Sequence, residues 1–194
     1  MSSFEKIPIE TAEKIAQRFM KYIEPYVIKM SVAGSIRRRC WEVGDIEIVC
    51  VPKDEFSMGK AFPEGYPGLK VNGSKLKRFI YPDKKLQIEL YITKLEDYGR
   101  ILAIRTGSSA YSHIELALRW NRMGWCGTED GLRRKSECIH KGNIWKIKPE
   151  YKNCPTLPPI FDTEEKFFDF LAIKWIEPAK RSWVSKHAEM NYSV

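Results

Sequence analysis

The 194-residue chain is 43% hydrophobic, enough for one core or two small ones sharing an interface, and its 33 Lys and Arg exceed 25 Asp and Glu to leave a formal net charge of +8. No apolar run is long enough to cross a bilayer, and MSSFEKIPIETAEKIAQRF alternates with charge instead of following the order of a signal peptide. A soluble intracellular protein without a membrane partner is expected.

Ile9, Ala12, Ile15, Phe19 and Ile23 recur at helical spacing between Pro8 and Pro25, which predicts a helix over 9–23. VIKMSVA, 27–33, is rich in strand formers and runs into Gly34-Ser35, while DIEIVCV, 45–51, alternates acids with apolar residues, so two strands flank a basic turn. The Gly-, Pro- and Lys-rich segment 53–74 reads as a loop with at most a short strand. KLKRFIY and LQIELYIT, joined by PDKK, form a predicted hairpin that adds to a mixed sheet. Beside Asn72-Gly73, Lys70, Lys75, Lys77 and Arg78 either touch a nucleic-acid backbone or belong to a solvated hairpin.

EDYGRILAIR, 96–105, and SAYSHIELALRWNRMG, 109–124, are helical in pattern, and Thr106-Gly107-Ser108 between them marks a break, expected as a hinge between two lobes. Short strand-like pieces follow Gly124. A further helix then starts near Asp162 or Thr163, either of which can cap it, with Glu164 and Glu165 favourable in its first turn. The five cysteines form no CxxC pair and are odd in number, so neither a disulfide framework nor a zinc site is expected.

The positive charge is uneven, since GLRRKSECIHKGNIWKIKPEYK, 131–152, holds seven Lys or Arg against two Glu. Arg133, Arg134, Lys135, Lys141, Lys146 and Lys148 are candidate contacts to a polyanion such as nucleic acid; a solvated basic face is the alternative. Trp120, Trp125, Trp145, Trp175 and Trp183 are expected to fill a core before they stack on bases.

The chemistry concentrates in AGSIRRRCWEVGDIEIVC, 33–50. Residues two apart on a strand share a face, so Asp45 and Glu47 project together and repel each other. Basic side chains or hard divalent ions such as Mg²⁺, which favour carboxylate and phosphate oxygens, are the candidates to compensate them. Glu89, between Ile88 and Leu90, would complete the set from a neighbouring strand. Gly34 permits close backbone approach, Ser35 offers a hydroxyl and an N–H, Arg37 and Arg38 offer charge for a triphosphate, and Gly44 allows a second close approach. A ligand carrying both signs, such as a nucleoside triphosphate with bound Mg²⁺, accounts for arginines and carboxylates in one strand-turn-strand unit.

Gly34-Ser35 followed by Asp45-Ile46-Glu47-Ile48 resembles the signature of the polymerase-beta-like nucleotidyltransferase superfamily, and GSIRRRCWEVGDIEIV resembles the X family of DNA polymerases in particular. LQIELYIT is similar to the strand bearing that family's third metal carboxylate, RTGSSAYSH to its nucleotide-contacting Thr-Gly-Ser turn, and FFDFLAIKWIEPAKRSW to its C-terminal helix and E-P-x-x-R tail. The resemblance is to the minimal, palm-plus-thumb viral type. It implies an α+β fold: a nucleotidyltransferase palm over 1–105, with a mixed β-sheet and flanking helices, then a small α/β thumb over 106–194 that binds nucleotide and DNA.

It further implies a DNA-directed DNA polymerase that adds nucleoside monophosphates from dNTPs to a primer 3′-hydroxyl, in short gap filling or repair on a primer-template or gapped duplex, as a cytoplasmic monomer. Asp45, Glu47 and Glu89 would be the catalytic ligands of two Mg²⁺ ions, with Mn²⁺ as the alternative ion. Gly34, Ser35, Arg38 and Gly44 would hold the triphosphate. Thr106, Gly107 and Ser108 would meet the sugar, often through a cis Gly-Ser bond in that family, with Ser112 and His113 as further nucleotide contacts. Arg181 in the tail would join the basic stripe on DNA. Glu stands at the second and third acid positions where the family usually has Asp, and Ile104-Arg105 where larger members have Tyr-Phe. Two alternatives stay open: a nucleotidyltransferase of the same fold acting on a non-DNA acceptor, and a DNA-binding module with a degenerate site.

Overall fold

The computed structural model describes residues 5–81, 86–142, 144–153 and 157–182. In chain order the first half holds β1 (Ile7–Pro8), α1 (Ile9–Ile23), β2 (Val27–Val32), α2 (Gly34–Arg37), β3 (Glu42–Val43), β4 (Asp45–Pro52), α3 (Ser57–Ala61), β5 (Leu69–Asn72), β6 (Leu76–Tyr81) and β7 (Leu86–Ile92). The second holds α4 (Tyr98–Thr106), α5 (Ser109–Tyr111), α6 (Leu118–Arg122), β8 (Trp125–Thr128), β9 (Gly131–Arg134), β10 (Cys138–Lys141), β11 (Ile144–Ile147) and α7 (Glu164–Phe170).

The fold is mixed α+β around a five-stranded sheet of order β2-β4-β7-β6-β5, in which β4 and β7 run parallel and the other neighbours antiparallel. Alternation along β4 sorts its side chains. Ile46, Ile48 and Cys50 enter a core with Ile88 and Leu90 of β7, Phe79 of β6, and Ala12, Ile15, Ala16 and Ile23 of α1. Each fully buried isoleucine there contributes about 1.5–3 kcal/mol. Val49 and Val51, on the other face, pack with Tyr91, Tyr98 and Leu102, so α4 covers the later part of β4. Asp45 and Glu47 lie on that same face nearer the strand's start.

Segment 53–74 departs from the loop expected of it, because α3 forms there as well as the short strand β5. Its composition hides an apolar anchor: Met58, Ala61 and Phe62 are buried, and the Phe62 ring meets Phe19, Tyr66 and Phe79 at centroid distances of 5.8, 5.1 and 4.7 Å. The PDKK connection lies outside the described residues, but β6 and β7 do pair antiparallel as a hairpin would.

A second core gathers Tyr111, Leu116, Trp120, Trp125, Leu132, Phe161, Phe167, Phe168 and Leu171, joined by Ala103. Helix α4 therefore serves both cores, through Leu102 on one and Ala103 on the other. The strand-like pieces expected after Gly124 are two antiparallel hairpins, β8-β9 and β10-β11. Thr163 caps α7, its hydroxyl accepting from Lys166 N at 3.4 Å. The helix expected over 109–124 is continuous but not uniform: between α5 and α6, Ser112–Ala117 is π-helical.

Candidate active site

The β4–β7 register places Asp45 opposite Gln87 and Glu47 opposite Glu89, and the β6–β7 register places Arg78 opposite Glu89. Glu47, Glu89 and Arg78 thus form one row across three strands, on the sheet face that also carries Asp45. Burial and then the nearby Glu89 charge raise the Asp45 carboxyl above its usual range, against the opposing charges of Arg38 and Arg78. Burial, followed by the Asp45 charge, pushes Glu47 up to about 7, although Arg105 and Arg38 act in the opposite direction. Two crowded carboxylates with raised proton affinity are a donor set that a hard cation would relieve.

Glu89 is differently placed. Its Oε1 accepts from Arg78 Nε and Gln87 Nε2, both at 2.8 Å, and its Oε2 accepts the Tyr91 hydroxyl. Among the described residues, no group of three or more His, Cys, Asp and Glu side chains forms a potential metal cage.

Beside the acids, β2 ends at Val32, the next residue Ala33 donates its N–H to Glu47 O at 2.8 Å, and the chain turns at Gly34 with φ +59°. A side chain at Gly34 would collide with the Glu47 carboxylate, since even the Cδ of Glu47 lies 3.1 Å from where its Cβ would be. Glycine is required there on both counts. Next to it, Ser35 Oγ is buried with no hydrogen-bond partner among the described residues, and so is Arg38 Nε, while Arg38 Nη1 donates to Thr106 O at 2.7 Å. Gly44 has open space where a Cβ would sit.

Arg37 does not offer its charge to a ligand as the sequence led us to expect. Its guanidinium donates to both Glu164 oxygens, at 2.8 and 2.7 Å, and to Thr106 Oγ1 at 2.6 Å. Thr106 is accordingly buried, its hydroxyl turned to Arg37 and its carbonyl to Arg38.

The turn after α4 is held by Ser108, whose N–H donates to Arg181 O at 2.9 Å and whose Oγ accepts from Tyr111 N at 3.2 Å. The Gly107-Ser108 peptide is trans, unlike the cis bond often found in the resembled family, and the described chain has no cis bond. A Cβ at Gly107 would lie 2.5 Å from Ser112 Oγ and 2.6 Å from the Tyr111 ring. The Ser112 hydroxyl donates to Ile104 O at 2.6 Å, tying the π-helical stretch back to α4. Arg38, Glu47, Ile104, Arg105, Gly107, Ser108, Ser109 and Ser112 enclose a cleft of about 350 Å³. Five of the expected site residues therefore share it. His113 is exposed and does not line it.

Three contributors were not legible as site residues in the sequence. Arg105 lies over the Tyr91 ring at 3.8 Å and its charge acts on Glu47; Ser109 borders the cleft; Arg78 holds Glu89. The only sequence signal for Arg105 was its place just before Thr-Gly-Ser, and Arg78 gave none beyond its charge. Lys77, grouped with Arg78 as a possible backbone contact, is buried and donates to Asn72 Oδ1.

In the basic stripe, Arg134, Lys141 and Lys146 are exposed, while Arg133, Lys135 and Lys148 are half-buried. Lys148 donates to Ser136 O at 2.7 Å, and Arg134 stacks over Trp125 at 4.0 Å. Arg181 corrects the expectation of a DNA contact: it is fully buried, donating to Glu164 at 2.5 and 3.1 Å and to Ile176 O at 2.7 Å. Trp120 and Trp125 are core residues as expected; Trp145 is half-buried, Trp175 exposed, and Trp183 lies outside the described residues. No family model and no curated protein matches the chain.

Proposed function

We propose that this chain is a nucleotidyltransferase of the X-family polymerase kind, which transfers a nucleoside monophosphate from a nucleoside triphosphate to a primer 3′-hydroxyl on DNA. The observation that carries the reading is the meeting of Arg38, Glu47, Gly107, Ser108 and Ser112, drawn from two stretches of sequence about 60 residues apart, around one cleft. Asp45 stands beside Glu47 on the same strand face.

The side chains divide the work by charge. Ser35 and Arg38 each carry a buried donor group without a partner among the described residues, suited to phosphate oxygens, and Arg38 is anchored by Thr106 O. Gly107 and Ser108 line the cleft, and the close packing of Ser112 and Tyr111 against Gly107 fixes this turn for a sugar to approach. Asp45 and Glu47 would hold a divalent ion, which when bound makes an attacking hydroxyl more acidic and offsets charge on the leaving oxygens. Exposed Arg134, Lys141 and Lys146 supply counter-charge for a phosphate backbone. In this reading the sheet lobe is the palm and the second core with its hairpins the thumb.

A labelled primer, with and without template, incubated with each dNTP or rNTP and with Mg²⁺ or Mn²⁺, tests this. Incorporation is expected, and Asp45→Asn should lower turnover about 100-fold or more, as loss of a preorganised electrostatic group does. An Asp45→Asn protein as fast as wild type overturns the assignment. Salt-sensitive DNA binding with no incorporation would mark a binding module instead, and nucleotide labelling of other acceptors a different transferase.

A further inference from the structure

The row of charged residues across β4, β7 and β6 contains more than the two acids just given a role. Glu89 is buried, and donors already occupy its carboxylate: Arg78 through Nε and Nη2 and Gln87 through Nε2 on Oε1, each at 2.8 Å, and the Tyr91 hydroxyl on Oε2. Three donors converge on Oε1 and saturate it, while Oε2 accepts one hydroxyl and keeps one lone-pair direction. The Glu89 carboxylate therefore has the Arg78 guanidinium as a direct counter-ion.

The arrangement is braced on both sides. The Tyr91 ring, which brings its hydroxyl to Glu89, lies beneath the Arg105 guanidinium at 3.8 Å. Arg78 remains 38% exposed in its side chain while the Glu89 side chain is only 8% exposed, so the cation faces the solvent side and the acid lies below it. A divalent ion approaching Glu89 would have to displace donors from Oε1 or take the one open position on Oε2, and in either case stand beside the Arg78 guanidinium. A second-ion role for Glu89 does not fit these residues.

We propose that Arg78 is a resident cation: its guanidinium takes the place at Glu89 that a second divalent ion would take, leaving this chain with one ion site, on Asp45 and Glu47. Arg78 is then a positioning residue, acting through Glu89 to keep the acid row neutral enough for Asp45 and Glu47 to bind a single ion. The inference rests on the nucleotidyl-transfer reading, and the number of bound ions separates the two.

The experiment is a Mn²⁺ titration of the full chain without nucleotide, with free Mn²⁺ read by electron paramagnetic resonance. Wild type and Glu89→Gln are each expected to bind one ion, Asp45→Asn none, and Arg78→Gln two, because the released Glu89 becomes available. Arg78→Lys keeps the charge and should stay at one. Circular dichroism checks that each variant is folded; should Arg78→Gln not fold, the comparison of wild type with Glu89→Gln decides. Two ions in wild type falling to one in Glu89→Gln would overturn the resident-cation role while leaving the transferase reading intact. A folded Arg78→Gln that binds one ion would overturn it as well. No Mn²⁺ bound by wild type would remove the ion site itself, and the transferase reading with it.

Discussion

Arg37 and Glu164 stand 127 residues apart and meet through two parallel hydrogen bonds, at 2.8 and 2.7 Å. Arg181 reaches the same carboxylate from the other side, at 2.5 and 3.1 Å, and Arg37 also holds Thr106. One buried acid therefore ties the Gly-Ser corner, the end of α4 and the tail together. The cleft that carries the functional reading is built on these three pieces.

Glu164→Gln should destabilise the protein by about 3–5 kcal/mol, because it leaves two guanidiniums with no opposing charge. Urea unfolding measures this. Burial alone would raise the Glu164 carboxyl, but hydrogen bonds from Arg37 and Arg181 win and hold it below its ordinary 4.5. A depressed folded value means stability that is complete above 4.5 and is lost as pH falls through the folded value. Glu164→Gln should flatten that acid limb.

Gly34→Ala should damage both fold and site. Its φ of +59° disfavours any side chain, at a cost of about 1–3 kcal/mol, and the new methyl would drive the Glu47 carboxylate from its place. The expected result is a lower melting temperature together with a loss of incorporation greater than the stability change explains. Full activity in Gly34→Ala would refute the close packing of corner and acid.

Glu47 predicts a pH trend of opposite sign. Its folded value of about 7 lies above the ordinary 4.5, so the folded state holds a proton that the unfolded chain has lost. This group favours folding fully below 4.5, and the benefit is lost as pH rises to 7. Glu47→Gln should thus be more stable than wild type at pH 8 without divalent ions, by on the order of 1–3 kcal/mol, and not at pH 4. Chemical denaturation at the two pH values is the measurement.

Lys141→Ala and Lys146→Ala, on exposed positions of the β10-β11 hairpin, should each weaken DNA binding evenly across sequences. Each should reduce the slope of log affinity against log salt by about 0.9 for every duplex phosphate that the variant no longer neutralises. Arg181→Ala should instead lower thermal stability, since that side chain is fully buried. Fluorescence anisotropy at several salt concentrations separates the two effects.

Local pattern alone determined a good deal of this protein. The alternation in DIEIV put Asp45 and Glu47 on one face, the spacing of Ile9, Ala12, Ile15 and Ile23 specified the buried side of α1, and Asp162-Thr163 bracketed the start of α7, where the structure selects Thr163 as the cap. These depend on the periods of strand and helix, which operate over a few residues. Helix α3 escaped notice because its anchor, Phe62, is buried against Phe19, Tyr22 and Phe79, which come from distant elements. Tertiary structure alone decided the partners of the charges: Arg78 on Glu89, Arg37 and Arg181 on Glu164, Arg105 over Tyr91. An arginine looks the same in sequence whether it will face solvent, DNA or a buried acid, because its electrostatic energy depends on which distant carboxylate the fold brings within about 3 Å and how much water it removes.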